Sequence, residues 1–150
     1  MKGVYKMIEQ DTVRLLRECD AGIKMGISSI EDILDKAKNI DLENLLTECK
    51  NHHEKLREET EKLLDRYNDD GKEPAAMAKG MSWLKTNVMM AFEGSDETIA
   101  DLMTDGCNMG VKSLSKYLNK YKAADETSKN IAKRLIILEE KLASDMRQFL

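Results

Sequence analysis

Proline is almost missing from this chain, with one residue in 150, and aromatics are few: two Phe, one Trp and four Tyr. Ten Met are present, and 35% of residues are charged against 41% hydrophobic. That balance favours amphipathic helices with solvated outer faces. No stretch alternates with period two long enough for a strand, and no apolar run reaches the ~20 residues that span a bilayer. The N-terminus, Met1-Lys2-Gly3-Val4-Tyr5-Lys6, lacks the apolar stretch of a secretory signal. Cys19, Cys49 and Cys107 are odd in number and show no Cys-x-x-Cys spacing, the pattern of reduced thiols in a cytoplasmic protein. A net charge of −4 and a pI near 5.3 argue against nucleic acid as a partner. At 150 residues the chain forms a single domain able to bury its own core.

What is present is a repeat. Met25-Gly26-Ile27-Ser28-Ser29-Ile30 is matched 84 positions later by Met109-Gly110-Val111-Lys112-Ser113-Leu114. The match continues through Ile33-Leu34 and Tyr117-Leu118, and each copy has a second glycine four residues upstream, Gly22 and Gly106. Each glycine inside a helix costs about 1 kcal/mol relative to alanine. Two such pairs at matching places predict that the Gly22/Gly26 and Gly106/Gly110 faces meet in close helix–helix packing.

Helical spacing of apolar residues predicts a hairpin over 5–69, a Met-rich crossover helix over 74–93 and a second hairpin over 95–150. Asn39 is read as the stop of the first helix and Asp41 as the N-cap of the second. Asn68-Asp69-Asp70-Gly71 breaks the second helix, and Ser95 and Asp125 cap the last two. The second helices of the two hairpins also match weakly, His53-Glu54-Lys55-Leu56 against Glu139-Glu140-Lys141-Leu142. A duplicated helical hairpin about a pseudo-twofold axis accounts for both matches, giving an all-α four-helix bundle with one long crossover.

The Gly22/Gly26 helix, the segment Trp83-Leu84-Lys85, and Gly106 followed by Lys112 and Tyr117-Leu118 give the chain a resemblance to ferritin-like proteins. It most resembles a bacterial ferritin-like family without an assigned function. The resemblance covers nearly the whole chain as a loose pattern of spacings. It implies a ferritin-like bundle and raises the possibility of a two-metal carboxylate site holding iron or manganese.

Such a site needs an inward carboxylate on two helices and Glu-x-x-His on each of the other two. Neither Glu-x-x-His nor His-x-x-Glu occurs in this chain. At about 100° per residue, Glu18, Asp101 and Asp105 turn outward and Asp20 sits at the boundary. His53 and Glu139 fall near the centres of their apolar stripes, with His52 beside them. The residues available to a degenerate metal site are therefore His52, His53, Glu139, Glu48 and Asp20. The alternative is that His53 and Glu139 are interior polar groups bonded to each other or to water. Cys49 and His53, one helical turn apart, lack a third residue to orient a base, and a cysteine on an apolar stripe is usually inert. Met77, Met81, Met89 and Met90 on the crossover helix are read as core packing or an adaptable partner surface.

The expected function is a non-enzymatic scaffold or protein-interaction module, forming a homo-oligomer or binding a protein partner, with no cofactor. A metal-binding or oxidoreductase-like relative using the His/Glu residues is the alternative. Trp83 is expected to be buried against the bundle, with its indole N–H near a polar partner.

Overall fold

The structure is a computed structural model that describes residues 2–74 and 95–150. Four long helices account for most of these: α1 (Lys2–Leu34), α2 (Ile40–Asp65), α3 (Asp96–Lys120) and α4 (Glu126–Met146), followed by a 3₁₀ turn at Arg147–Phe149. No strand occurs among the described residues, and no helix among them is long and apolar enough to cross a membrane. The expected crossover helix over 74–93, with Trp83 and its methionines, lies outside the described residues except for Pro74.

The caps explain where the helices start. Ser95 Oγ accepts from Thr98 N, and Asp125 Oδ1 accepts from Ser128 N, each satisfying a first-turn amide. At α2 the N-cap is Asn39, not Asp41. The Asn39 side chain accepts from Asp41 N at 2.8 Å and Leu42 N at 3.3 Å. Asp41 instead sits inside the first turn, where its charge favours the helix dipole. Helix α1 begins at Lys2, earlier than the apolar spacing predicts. Its first turns carry Val4, Tyr5 and Met7 at the surface, so no buried stripe marks them. After Leu34 the chain tightens into a turn, with Lys36 N donating to Ile33 O and Ala37 N to Leu34 O.

Consecutive helices pair as α1–α2 and α3–α4. Helix α4 also packs on α1 and α2, α1 touches α3 less extensively, and α2 and α3 share no substantial contact. The buried apolar residues fall into two clusters. One gathers Ile30, Ile33, Leu42, Leu46, Ile99, Met103, Leu142 and Met146; the other gathers Leu15, Leu16, Ile23, Leu56, Leu64, Ile131 and Leu135. Each fully buried Leu or Ile contributes about 1.5–3 kcal/mol relative to exposure.

Side chains tie each interhelical turn to the other hairpin. Asp96 at the start of α3 accepts from Lys38 N (2.8 Å) and Asn39 N (3.0 Å) in the α1–α2 turn. On α1, Asp11 accepts from Ala123 N (3.0 Å) and Thr12 Oγ1 from Asp125 N (2.9 Å) in the α3–α4 turn. These bonds satisfy amides that a turn leaves without backbone partners.

Candidate functional site

Between the two apolar clusters lies a layer with polar groups at its centre. His53 rises from the buried stripe of α2 between Cys49 and Leu56, and it is 1% exposed. Its Nε2 lies 3.0 Å from Glu139 Oε1 on α4. Its Nδ1 lies 2.8 Å from the carbonyl oxygen of Cys49, one turn back on α2. A carbonyl only accepts, so Nδ1 carries a proton and the ring orientation is set by the helix backbone. The proton between Nε2 and Oε1 then binds the two hairpins together.

Burial works against the imidazolium, but hydrogen bonds to the side chains of Cys49 and Glu139 and the Glu139 charge outweigh it, raising the His53 pKa to about 10. Cys107 on α3 completes the surroundings. Burial, followed by the charge and hydrogen bond of Glu139, pushes its thiol pKa upward. On α1, burial and then the charges of Glu18 and Asp20 raise Cys19 to about 12. Both thiols therefore keep their protons at neutral pH, the opposite of an activated nucleophile. The Cys49 thiol lies 3.6 Å from His53 Nδ1. That nitrogen is already a donor to the Cys49 carbonyl and cannot take the thiol proton.

The glycines serve this layer. A Cβ on Gly26 would stand 2.5 Å from His53 Nε2, and one on Gly110 would stand 3.3 Å from Glu139 Oε2. Among the described residues, a Cβ on Gly22 would meet Leu135 Cδ2, at 3.6 Å. None of these three Cβ positions has an atom of the opposite glycine face among its nearest described neighbours. The nearest neighbours are side chains of α2 and α4, and the missing Cβ atoms of Gly26 and Gly110 let two long polar side chains pass. Gly106 borders the same layer.

The other candidate ligands lie elsewhere. His52 and Glu48 form an exposed pair on the outer face of α2, 3.7 Å apart. Asp20 is 1% exposed, not at a boundary, for a reason the helical wheel omits. The segment after α2 folds back over it: Asp20 Oδ2 accepts from Lys72 N at 2.9 Å and pairs with Lys24 at 2.8 Å. Gly71, at φ +86°, has no room for a Cβ beside the Asp20 carboxylate. Lys72 reaches Glu18 at 2.6 Å, and Arg17 reaches Asp69 at 3.1 Å, so Glu18 is also covered. Asp20 Oδ1 is buried without a hydrogen-bond partner among the described residues.

His53 and Glu139 are therefore brought together, while His52, Glu48 and Asp20 are not. Among the described residues no three His, Cys, Asp or Glu side chains converge as metal ligands would. Sequence reasoning missed Cys107 as a neighbour of Glu139. The signal was there, since Cys107 lies three residues before Gly110 on one helical face. Comparisons with protein-family models, characterised proteins and solved structures gave no match, so the chemistry of the site rests on its own geometry.

Proposed function

We propose that this chain is a non-enzymatic ferritin-like helical bundle, a cytoplasmic scaffold or interaction module in which a hydrogen-bonded pair occupies the centre instead of a di-metal site. The observation that carries the reading is the His53–Glu139 bond at 3.0 Å. A pair of divalent ions needs several converging carboxylates to neutralise it, and here one inward glutamate is already engaged by an imidazole. The remaining acids named from the sequence are exposed or, like Asp20, held by Lys24 and a backbone amide.

A ferritin-like path with one crossover and a duplicated hairpin is supported by the turn anchors. Asn39 N and Ala123 N, 84 positions apart, each donate to an aspartate of the opposite hairpin. These anchors put the α1–α2 turn beside the start of α3 and the α3–α4 turn beside the N-terminal part of α1. Helix α3 then runs antiparallel to α1, and the end of α2 and the start of α3 lie at opposite ends of the bundle.

Titration of chelator-free protein with ferrous iron, manganese or zinc tests the reading. We expect weak or substoichiometric binding and little thermal stabilisation. Two tightly bound metals per chain, lost together in Glu139→Ala, would replace this reading with a metal-binding one.

A further inference from the structure

The charges of α3 are sorted along its length. Its acids, Asp96, Glu97, Asp101 and Asp105, all precede Gly106, and its bases, Lys112, Lys116 and Lys120, all follow Gly110. The helix dipole accounts for the ends of that order, at Glu97 and Lys120, but its influence falls off within the first and last turns. Asp101, Asp105, Lys112 and Lys116 lie further in. They stand in i,i+4 rows of like charge, a spacing that works against the helix. Other helices do the reverse: Asp20–Lys24, Arg57–Glu61 and Lys141–Asp145 are i,i+4 pairs of opposite charge. The matching positions of α1 hold Arg17, Ala21, Ser28 and Asp32, so the sorting is no consequence of the repeat. Asp101, Asp105, Lys112 and Lys116 are all exposed, and none is in an ion pair among the described residues. At about 100° per residue they share one face, opposite the buried stripe of Ile99, Met103, Cys107 and Leu114.

We propose that this face of α3 is a self-complementary dimer surface, on which α3 of a second copy packs antiparallel about a twofold axis between Asn108 and Met109. The proposal deepens the reading of the chain as an interaction module and rests on it.

The order of the charges names the occupant. A twofold contact sets each residue against the one equally far from the axis on the other copy. With Asn108 opposite Met109 of the second copy, Asp105 falls opposite Lys112 and Asp101 opposite Lys116, and the symmetry doubles both pairs. Glu97 and Lys120 keep the same register and extend the complementary field. A parallel pairing in register would set acid against acid and base against base. Exposed ion pairs are individually weak and screened by salt, so the dimer is a weak and salt-sensitive one.

Sedimentation of the full chain from about 10 μM to about 1 mM in low salt should show a monomer–dimer equilibrium, shifted to monomer in about 0.5 M NaCl. Asp101→Lys/Asp105→Lys and Lys112→Glu/Lys116→Glu each give a face of one sign, and each should be monomeric in low salt. Mixed, the two should form heterodimers. The quadruple variant carries opposite charges in reversed order and should dimerise again. Recovery in the mixture and in the quadruple variant would show that the single-sign chains lose association and not their fold. Asn108→Cys, beside the axis, should cross-link to its copy under mild oxidation with copper phenanthroline, the native thiols being buried. Asn119→Cys should not, since antiparallel packing puts its two copies about 30 Å apart along the helices. A wild type that stays monomeric at every concentration, as it would if the face served a different protein, overturns the proposal. So does a dimer that ignores the charge variants, or one that cross-links equally through Asn119→Cys. The metal titration above judges the metal-free reading of His53 and Glu139 separately.

Discussion

The two hairpins offer matching positions to the centre of the molecule and fill them differently. In the first, Gly26 makes room for His53; in the second, Gly110 makes room for Glu139. The fit is unequal. A Cβ at Gly26 would fall 2.5 Å from a ring nitrogen, whereas at Gly110 the nearest atom would be 3.3 Å away at the end of a glutamate. The imidazole is held at both nitrogens and cannot turn aside, while the carboxylate belongs to a longer and more adaptable side chain. A similar backbone design thus tolerates change on one side and not on the other. The difference lies in how many bonds fix the side chain it accommodates.

The largest expected effect comes from breaking the meeting of the two halves. Glu139→Ala leaves His53 buried without its partner and should destabilise the fold by about 3–5 kcal/mol in urea unfolding. The double variant His53→Leu/Glu139→Leu should recover much of that loss, because apolar residues of similar volume often replace a buried pair at little cost. If the double variant loses as much as the two single changes added together, the pair is not a coupled unit.

Gly26→Ala follows. It forces a Cβ against the fixed imidazole and should cost about 1–3 kcal/mol despite alanine's helix propensity. Gly110→Ala should stay within about 1 kcal/mol of wild type in either direction, since relief of the glycine penalty offsets a mild contact. Equal melting temperatures for the two variants would erase the asymmetry between the hairpins.

The pH dependence sharpens the same point. His53 is raised in the folded state to about 10 from the ordinary histidine value of about 6.5. Its contribution is therefore complete below pH 6.5 and is lost as pH rises toward 10. Between pH 6.5 and 8, below the ordinary thiol range, stability should fall by up to ~1.4 kcal/mol per pH unit. Urea midpoints measured across that window should slope in wild type and flatten in His53→Gln; a flat wild-type profile would show that His53 is not charged in the fold.

The smallest effects belong to the turn anchors. Asp96→Ala and Asp11→Ala each remove acceptors from turn amides of the opposite hairpin, and each should cost about 1 kcal/mol. Amide hydrogen exchange should accelerate at Lys38 and Asn39 in the first variant and at Ala123 in the second. Exchange that quickens at both turns in either variant would mean that the hairpins do not hold each other's ends independently.

The all-helical class and two of the helix starts were legible because they depend on local rules. Apolar spacing, Ser95 and Asp125 as caps, and the break at Asn68–Gly71 act within a few residues. The Asn39 cap was misread because Asn39 and Asp41 are both good capping residues. Only the path of the backbone decides which side chain meets the free amides. Positions near the stripe centres placed His53 and Glu139 inward, and the amphipathic pattern alone carried that information. Asp20 shows the opposite case: its wheel position is at the boundary, and it is buried because residues 71–72 return over it from far along the chain. Periodicity describes the face a helix turns to its nearest partner and is silent about a segment that folds back later.

By itself the sequence determined the helices, their amphipathic faces and the repeated glycines, since these follow from propensity, spacing and steric cost. Only the tertiary structure decided what the glycines are for. A missing Cβ is the same in every glycine, and whether it admits a helix, an imidazole or a carboxylate depends on which side chain arrives from another part of the chain. The bond between His53 and Glu139, 86 residues apart, exists because four helices bring those two atoms to 3.0 Å.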